Sequence, residues 1–289
     1  MSGFIPWNSQ PLNAWADKYA QGKFIDLDGR MTHYIERGDG EPVILLHGFN
    51  FDTYLWGGNI DFLAERFKVY ALDFWGFGYS TREPMDYGYQ LYAEQLLKFM
   101  DALGIQGASL VGQSMGGGTA ILFSTQHRER VNRLILVDPA AMPQSLPLVA
   151  KFLNLPKVGE FLLGLKTDAI RRKNMGDLWF YNKDLVTDDY FENASRYQKI
   201  AGTTQAAMAI LRRDFFNTLG DEVRRLAQTD IPILIVFGRE DKGVSCKCGE
   251  EMHEICKGSR LEIIEKAGHV PNYEHAEIFN QMAMDFLTS

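Results

Sequence analysis

Residues 108–117 read ASLVGQSMGG, and this stretch decides how the rest of the chain is interpreted. A short apolar strand, residues 108–111, leads into GQSMGG at 112–117 and then into a helix rich in small residues. The pattern G-x-S-x-G between a strand and a helix is typical of a nucleophile elbow, a strained turn that exposes a serine hydroxyl at the sheet edge. Ser114 is therefore the candidate nucleophile. The alternative is an incidental serine in a glycine-rich turn.

Outward from this turn, short apolar runs alternate with segments of helical periodicity. This alternation predicts right-handed β-α-β crossovers and a doubly wound, mostly parallel α/β sheet with helices on both faces. Strands are expected at residues 24–27, 31–36, 42–47, 69–72, 108–111, 134–137, 231–237 and 261–264, the first two forming a hairpin. Helices are expected at residues 53–64, 89–103, 115–127 and 272–287.

The alternation stops between residues 140 and 226, where apolar-periodic pieces are punctuated by prolines. We therefore expect an N-terminal arm at residues 1–22, an α/β core formed by 23–139 and 227–289, and a helical cap inserted at 140–226. A cap at the carboxyl edge of the strands would cover the place where open α/β sheets bind ligands. Apolar cap residues that could pack on the core or line a pocket are Leu146, Leu148, Phe152, Leu155, Phe161, Leu162, Leu165, Trp179, Phe180 and Tyr181.

A serine hydroxyl needs a general base whose pKa lies near neutrality, and histidine is the usual choice. His269 stands in KAGHVP, after the expected strand at 261–264 and before the last expected helix. That loop lies at the same sheet edge as the elbow, whereas surface or packing roles suffice for the other five histidines. His269 is therefore the candidate base.

The base needs a carboxylate that fixes its tautomer and stabilises the imidazolium. Asp241 follows the expected strand at 231–237, and the chain order Ser114, Asp241, His269 is that of elbow-type hydrolases. Asp138, at the end of the strand LILVD, and Glu240 are rivals for this role. Asp241 is the favoured acid.

An oxyanion hole requires backbone N–H groups aimed at the oxygen of a tetrahedral intermediate. The first donor is expected from Met115, the residue after the nucleophile. The second is expected from Phe49 in the loop His47-Gly48-Phe49, where glycine lets the chain turn sharply. We assign His47 no catalytic role, because an ordinary loop anchor that hydrogen-bonds the backbone explains it.

Composition excludes several classes of function. Thirty Lys and Arg against 37 Asp and Glu give a net charge of −7, which disfavours nucleic acid and anionic membrane surfaces as partners. No apolar run reaches the roughly 18–20 residues of a membrane-spanning helix, and residues 1–12 do not resemble a secretory signal. A cytoplasmic location is therefore expected, with no membrane partner. The sequence does not determine the oligomeric state.

No cofactor or metal is expected. A zinc site built from Cys246, Cys248, His253 and Cys256 is disfavoured, because C-x-C and H-x-x-C are not the usual CxxC knuckles. An odd, clustered set of cysteines fits a reducing compartment. The glycine-rich turn at 112–117 lacks the lysine of a phosphate-binding loop, which disfavours a nucleotide.

Taken together, the chain resembles α/β-hydrolase-fold enzymes with a helical cap. The resemblance extends from about residue 24 to the C-terminus and rests on five motifs in the family order. These are HGF at 47–49, DFWGFGYS at 73–80, GQSMGG at 112–117, GRED at 238–241 and GHVPNYE at 268–274. It implies Ser114 as nucleophile, Asp241 as acid and His269 as base.

Ser114 and the residues next to the expected triad indicate which subfamily the chain resembles. Haloalkane dehalogenases and epoxide hydrolases of this fold carry Asp in the elbow, so Ser114 argues against both. Carbon–carbon bond hydrolases of ring-fission products resemble the chain in SMGG and cap size, but they typically carry Asn before the serine and Trp after the base. Here Gln113 and Val270 stand at those positions. Val270 followed by Pro271 is more similar to carboxylesterases and cofactor-free perhydrolases.

The leading hypothesis is a serine hydrolase that cleaves small to medium, largely apolar carboxylic esters through an acyl-enzyme. The first alternative is carbon–carbon hydrolysis of a vinylogous diketone, whose carboxylate would bind a cap cation such as Arg171, Arg172 or Arg212. The second alternative is a ligand receptor with little turnover on the same scaffold.

Overall fold

A computed structural model describes residues 5–143, 159, 167–213 and 219–289 of the chain. In this part of the chain, eight strands form one sheet in the order β1-β2-β4-β3-β5-β6-β7-β8. The strands are β1 (Lys23–Leu27), β2 (Arg30–Arg37), β3 (Glu41–Leu46), β4 (Phe67–Leu72), β5 (Ala108–Gln113), β6 (Val131–Val137), β7 (Ile233–Gly238) and β8 (Arg260–Ile264). The predicted α/β sheet is thus confirmed.

In the order of the sheet, the strands from β4 to β8 are all parallel, and β2 alone runs antiparallel to its two neighbours, β1 and β4. Strands β5 and β7 are buried along their whole length. Strands covered by helices on both faces need apolar residues at every position, which explains why continuous apolar runs predicted them. Their carboxyl ends lie at one edge, where Gln113 pairs with Val137 and Val137 pairs with Val236.

Helices cover both faces of the sheet. One buried apolar cluster contains residues from the first, third and fourth helices, and a second cluster on the other face contains residues from the last helix. The described α-helices are α1 (Leu12–Tyr19), α2 (Ile60–Leu63), α3 (Tyr89–Ala102), α4 (Met115–Gln126), α5 (Asp168–Trp179), α6 (Asp188–Ser195), α7 (Thr203–Leu211), α8 (Gly220–Leu226), α9 (Cys246–Ile255), α10 (Pro271–Glu274) and α11 (Ala276–Thr288).

Two predicted helices are broken in the structure. Residues 53–64 form a 3₁₀ turn, Thr53–Trp56, and then the short α2, because Gly57 and Gly58 between them favour helix poorly. Residues 272–287 are divided into α10 and α11 at His275, whose backbone leaves the helical region. The spacing of apolar residues alone does not reveal such breaks in a helix.

The loop after β4 is organised by the buried carboxylate of Asp73. It accepts hydrogen bonds from the backbone N–H of Thr53 at 2.8 Å and of Tyr79 at 2.9 Å, and it lies 2.7 Å from Nδ1 of His33. Burial alone would raise the pKa of Asp73, but the neighbouring His33 holds it below the ordinary value. One carboxylate therefore joins the hairpin, the loop after β3 and the loop after β4.

The N-terminal segment is anchored on residues of the predicted cap. Gln10 forms an isolated parallel bridge with Ile200, and the Trp15 indole N–H donates to the carbonyl of Arg196 at 3.0 Å. The Trp7 ring lies 4.0 Å from the Arg171 guanidinium and 3.5 Å from the Lys199 ammonium, which are distances of cation–π contacts. This segment therefore contacts residues 171–200 of the chain.

The boundaries of the cap at 140–226 stay a prediction, although α5 to α8 fall within them. Of the apolar cap residues singled out above, Trp179, Phe180 and Tyr181 are described. The remaining seven, Leu146, Leu148, Phe152, Leu155, Phe161, Leu162 and Leu165, lie outside the described residues. Within the described ranges, no helix has both the length and the apolar character needed to cross a membrane.

Replacing Asp73 tests the organising role of its carboxylate. We expect Asp73→Asn to lower the free energy of unfolding by about 3–5 kcal/mol, because it removes one partner of a buried charged network. Urea unfolding followed by circular dichroism measures the loss. Asp39→Asn is the matched control, since the Asp39 carboxylate is exposed and its variant should keep the wild-type midpoint. A loss below about 1 kcal/mol for Asp73→Asn would contradict this role.

Candidate active site

Ser114 occupies a strained turn between β5 and α4. Its backbone has φ 51° and ψ −114°, outside the regions that residues with a side chain normally adopt. The turn is held from the neighbouring strand: the Ser114 N–H donates to Val137 at 2.9 Å, and the Ser114 carbonyl accepts from the Ala140 N–H at 3.0 Å. This is the strand–turn–helix context that the elbow motif requires.

Close approach of the backbone explains two glycines near the serine. A Cβ on Gly48 would meet Oε1 of Gln113 at 2.1 Å and Cβ of Ser114 at 3.0 Å. A Cβ on Gly116 would meet the carbonyl oxygen of Leu46 at 2.2 Å. The expected reason for Gly48 was a sharp turn, whereas the structure requires it because its loop lies against the serine. That loop helps to cover Ser114, which is 2% exposed rather than open to solvent as expected.

His269 and Asp241 meet directly. Nδ1 of His269 lies 2.7 Å from Oδ2 of Asp241, and the other oxygen of Asp241 accepts from the N–H groups of Gly243 at 2.6 Å and Val244 at 3.1 Å. These bonds leave the carboxylate with a fixed orientation. Because Nδ1–H donates to the carboxylate, Nε2 of a neutral His269 carries the lone pair that a general base needs.

The two rivals of Asp241 have other partners. Oδ1 of Asp138 accepts from the N–H of Gly238 at 3.0 Å, at the point where β7 ends. Oε2 of Glu240 accepts from the N–H of Ala267 at 3.1 Å and braces the loop that carries the histidine. The geometry therefore favours Asp241 as the carboxylate of His269.

Gln113 joins the elbow to the loop that carries His269, residues 265–270, which we call the base loop. The sequence analysis used Gln113 only to compare subfamilies. Nε2 of Gln113 donates to the backbone carbonyl of His269 at 2.7 Å. The His269 N–H in turn donates to the carbonyl of Trp179, at the end of α5, at 2.8 Å. Asp241 therefore contacts His269 directly, and Ser114 is connected to it through its neighbour Gln113.

Glu274 also positions the base loop, and the sequence analysis missed it. Its carboxylate accepts from the backbone N–H groups of Gly268 at 2.5 Å, Tyr181 at 3.0 Å and Asn182 at 2.9 Å. Burial raises the pKa of Glu274. No local sequence pattern predicts that a glutamate six residues after a loop glycine makes these bonds. Its place in the motif GHVPNYE, residues 268–274, was an available indication of a role at the site.

The predicted oxyanion donors lie on the two segments that meet at Ser114. Met115 is the first residue of α4, and Phe49 follows Gly48 in the loop that lies against the serine. His47 anchors that loop: its Nε2 accepts from the Phe74 N–H at 3.0 Å and its Nδ1 lies 2.8 Å from the Gly48 carbonyl. Burial lowers the pKa of His47, so it is a neutral anchor. Donation by Phe49 and Met115 to an oxyanion stays a prediction.

The three candidate cations have different surroundings. Arg171 lines a cavity of about 120 Å³ together with Asn50 and Trp179, and burial lowers its pKa to about 10. Arg172 donates to the Val186 carbonyl at 2.6 and 2.9 Å, and Arg212 is exposed after α7. Asn50 follows the predicted donor Phe49, and Trp179 accepts from the base loop. The Arg171 cavity is therefore lined by one residue next to Phe49 and by one that contacts His269, while Ser114 and His269 are not among its described lining residues.

The cysteines are free thiols, and burial raises the pKa of Cys256 to about 11. His253 is paired with Ser259, 2.8 Å from its hydroxyl. Among the described residues, one group of histidine and acidic side chains is close enough to share an ion, and it consists of Asp138, Asp241 and His269. Neutral thiols and a paired histidine give no reason to assign zinc to the cysteine cluster.

Comparison with known proteins places this site in a family context. A family model described as alpha/beta hydrolase fold matches residues 41–276. The chain is 30% identical over 280 residues to the 2-hydroxy-6-oxo-6-phenylhexa-2,4-dienoate hydrolase of Comamonas testosteroni, with 93% of this chain and 96% of the relative covered. It is 28% identical over 285 residues to the 2-hydroxymuconate semialdehyde hydrolase of Pseudomonas putida, with 96% and 97% covered.

Solved structures agree with the sequence comparisons. A meta-cleavage product hydrolase from Pseudomonas fluorescens IP01 has a TM-score of 0.79 and 27% identity to this chain. The similarity covers 92% of this chain and 97% of that structure. A bromoperoxidase from Bacillus anthracis has a TM-score of 0.81 at 22% identity, which shows a shared fold alone.

Proton NMR tests the assignment of the acid. We expect a downfield resonance from the Nδ1 proton shared by His269 and Asp241, because a hydrogen bond to a buried carboxylate deshields it. Asp241→Asn should abolish the resonance. Glu240→Gln, the matched control one residue away, should keep it. Loss of the signal in Glu240→Gln together with its survival in Asp241→Asn would contradict the assignment.

Proposed function

The chain belongs to the alpha/beta hydrolase fold family, and we propose that it is a serine hydrolase that cleaves a carbon–carbon bond in a ring-fission product. The substrate would be a vinylogous diketone that carries a carboxylate. One observation carries this proposal: two relatives whose names specify such dienoate and semialdehyde substrates align with the chain over nearly its whole length. The arrangement of Ser114, His269 and Asp241 supplies groups suited to this chemistry.

The proposed reaction is an acyl transfer with a carbon leaving group. Oγ of Ser114 attacks the ketone carbon while Nε2 of His269 takes the hydroxyl proton, and the N–H groups of Phe49 and Met115 stabilise the oxyanion. The oxyanion collapses and the adjacent carbon–carbon bond breaks, with its electron pair delocalised into the dienoate and protonated by the imidazolium of His269. Water activated by His269 then hydrolyses the acyl-enzyme and releases a carboxylic acid.

A carbon leaving group requires a bound dienoate, and Arg171 suits the anchoring of its carboxylate. Its cavity of about 120 Å³ is too small for a whole substrate, since ligand sites usually measure about 300–1,000 Å³, but it can hold a carboxylate-sized end. Bidentate pairing with a guanidinium is a favourable mode of carboxylate recognition. The choice of Arg171 over Arg172 and Arg212 rests on its cavity. That cavity is also lined by Asn50, which follows Phe49, and by Trp179, which accepts from the His269 N–H.

Ester hydrolysis is the second candidate, and one observation favours it. The residue after the base is Val270, which is fully buried and apolar, where ring-fission hydrolases typically carry Trp. The same triad would expel an alkoxide instead of a delocalised carbanion, with no need for a carboxylate anchor. Alcohol leaving groups need less stabilisation, so a neutral apolar ester would suffice as substrate.

Parallel assays of two substrates test the proposal. With purified protein, the absorbance of 2-hydroxy-6-oxo-6-phenylhexa-2,4-dienoate should bleach with a kcat/KM above that for p-nitrophenyl butyrate. Arg171→Leu should raise KM for the dienoate about 10- to 100-fold, the usual effect of losing a hydrogen bond to a charged group. Because the butyrate ester has no carboxylate, its KM should change little in this variant. Arg172→Leu, the neighbouring residue on α5, is the matched control.

Other outcomes decide between the candidates. Rapid turnover of butyrate and an inert dienoate would contradict carbon–carbon cleavage and support ester hydrolysis. An equal rise in KM for both substrates in Arg171→Leu would contradict carboxylate recognition by this residue. A thermal shift with the dienoate but no turnover of either compound would support the receptor hypothesis.

A further inference from the structure

Asp138 carries a buried carboxyl group close to Asp241 and His269, and the proposed reaction does not use this group. It follows β6, has 0% exposure and adopts φ 42°, a conformation that few residues with a side chain adopt. Ser114 and Asp138 directly follow Gln113 and Val137, which are partners in the sheet, so the two residues are neighbours at the carboxyl edge. Its Oδ1 accepts from the N–H of Gly238.

The second oxygen of Asp138 has no donor to satisfy it. Among the described residues, no N–H or O–H group donates to Oδ2, although this atom is fully buried. A carboxylate oxygen of Asp138 lies within 4.8 Å of one of Asp241 and of a ring nitrogen of His269. Two ionised carboxylates this close in a buried place repel each other, whereas one proton between them converts the repulsion into a hydrogen bond.

Asp138 faces titratable groups of the site from three neighbouring elements. Asp241 faces it from the loop after β7, His269 from the loop after β8, and Cys246 from the start of α9. Burial raises the pKa of the Cys246 thiol, so that group is neutral. Burial and the charge of Asp241 raise the pKa of Asp138 well above its ordinary value.

We propose that Asp138 keeps its proton at neutral pH and donates it in a hydrogen bond to Asp241, which makes Asp138 a positioning residue for the acid of the triad. This inference rests on the proposed function only in requiring that Ser114, His269 and Asp241 work together. The neutral donor fixes Asp241 without adding charge. An ionised Asp138 would instead stabilise the imidazolium of His269 and leave less of the neutral base at pH 7.

A fluorophosphonate probe tests this role without knowledge of the natural substrate. The probe phosphonylates an activated serine, and its rate constant as a function of pH reports the ionisation of His269. Two variants are informative because both tolerate the positive φ at this position: Asp138→Asn and Asp138→Gly. Asn replaces the proposed O–H donor by an N–H donor and keeps an acceptor for Gly238, whereas Gly removes both groups.

The proposal predicts different behaviour for the two variants. Asp138→Asn should react within about threefold of the wild-type rate, with the acid-limb midpoint unchanged within about 0.3 pH unit, because one neutral donor replaces another. Asp138→Gly should react about 10- to 100-fold more slowly, the usual effect of losing a hydrogen bond to a charged group. Circular dichroism identifies folded variants, and the pH profile of Asp138→Asn is decisive alone if Asp138→Gly does not fold.

Three results would overturn the proposal. If Asp138 is ionised, Asp138→Asn removes a negative charge and lowers the acid-limb midpoint by about one pH unit. If Asp138 only caps the end of β7, folded Asp138→Gly reacts as fast as wild type. Either result overturns this inference alone, since the wild-type serine still reacts. A wild-type protein that the probe does not label overturns the proposed serine chemistry and this inference together.

Discussion

The backbone of Ser114, held at a φ of 51°, is the constraint on which the site depends. Such a conformation costs about 1–3 kcal/mol and persists only where the surroundings determine it. Here α4 and the end of β6 hold it through backbone hydrogen bonds, and the loop at Gly48 can approach only because no side chain intervenes. The glycines around the serine are therefore a consequence of its position.

The backbone around His269, the candidate base, is held from three directions, and this couples distant parts of the chain. Gln113 bonds the His269 carbonyl from the elbow, Trp179 accepts its N–H from the end of α5, and Glu274 fixes the preceding Gly268. Asp241 then orients the ring itself. Because the end of α5 supplies one of these supports, the packing of α5 and the orientation of His269 are physically linked.

The sequence predicted those features that depend on local patterns. Continuous apolar runs identified the buried strands, and the strand–glycine–helix pattern identified Ser114, because burial on both faces and backbone strain impose residue types directly. It could not predict that His33 joins Asp73 or that Gln113 reaches His269, since those contacts join positions 40 and 156 residues apart. The break at His275 was missed for a related reason, because helical periodicity continues across it.

The proposed triad of Ser114, His269 and Asp241 does not by itself select the leaving group, since attack, oxyanion stabilisation and acyl-enzyme hydrolysis are common to esters and to ketones with a delocalised carbon leaving group. The groups around the site select the substrate, and a half-buried Arg171 and an apolar Val270 favour different substrates. Both possibilities require the same nucleophile, so its identity is the central claim.

Peptide mapping by mass spectrometry after fluorophosphonate labelling tests that claim most directly. The account predicts one adduct, on the peptide that contains Ser114, and its loss in His269→Ala, because the hydroxyl is activated by that base. An adduct on another residue, or labelling of Ser114 that proceeds equally fast without His269, would contradict it.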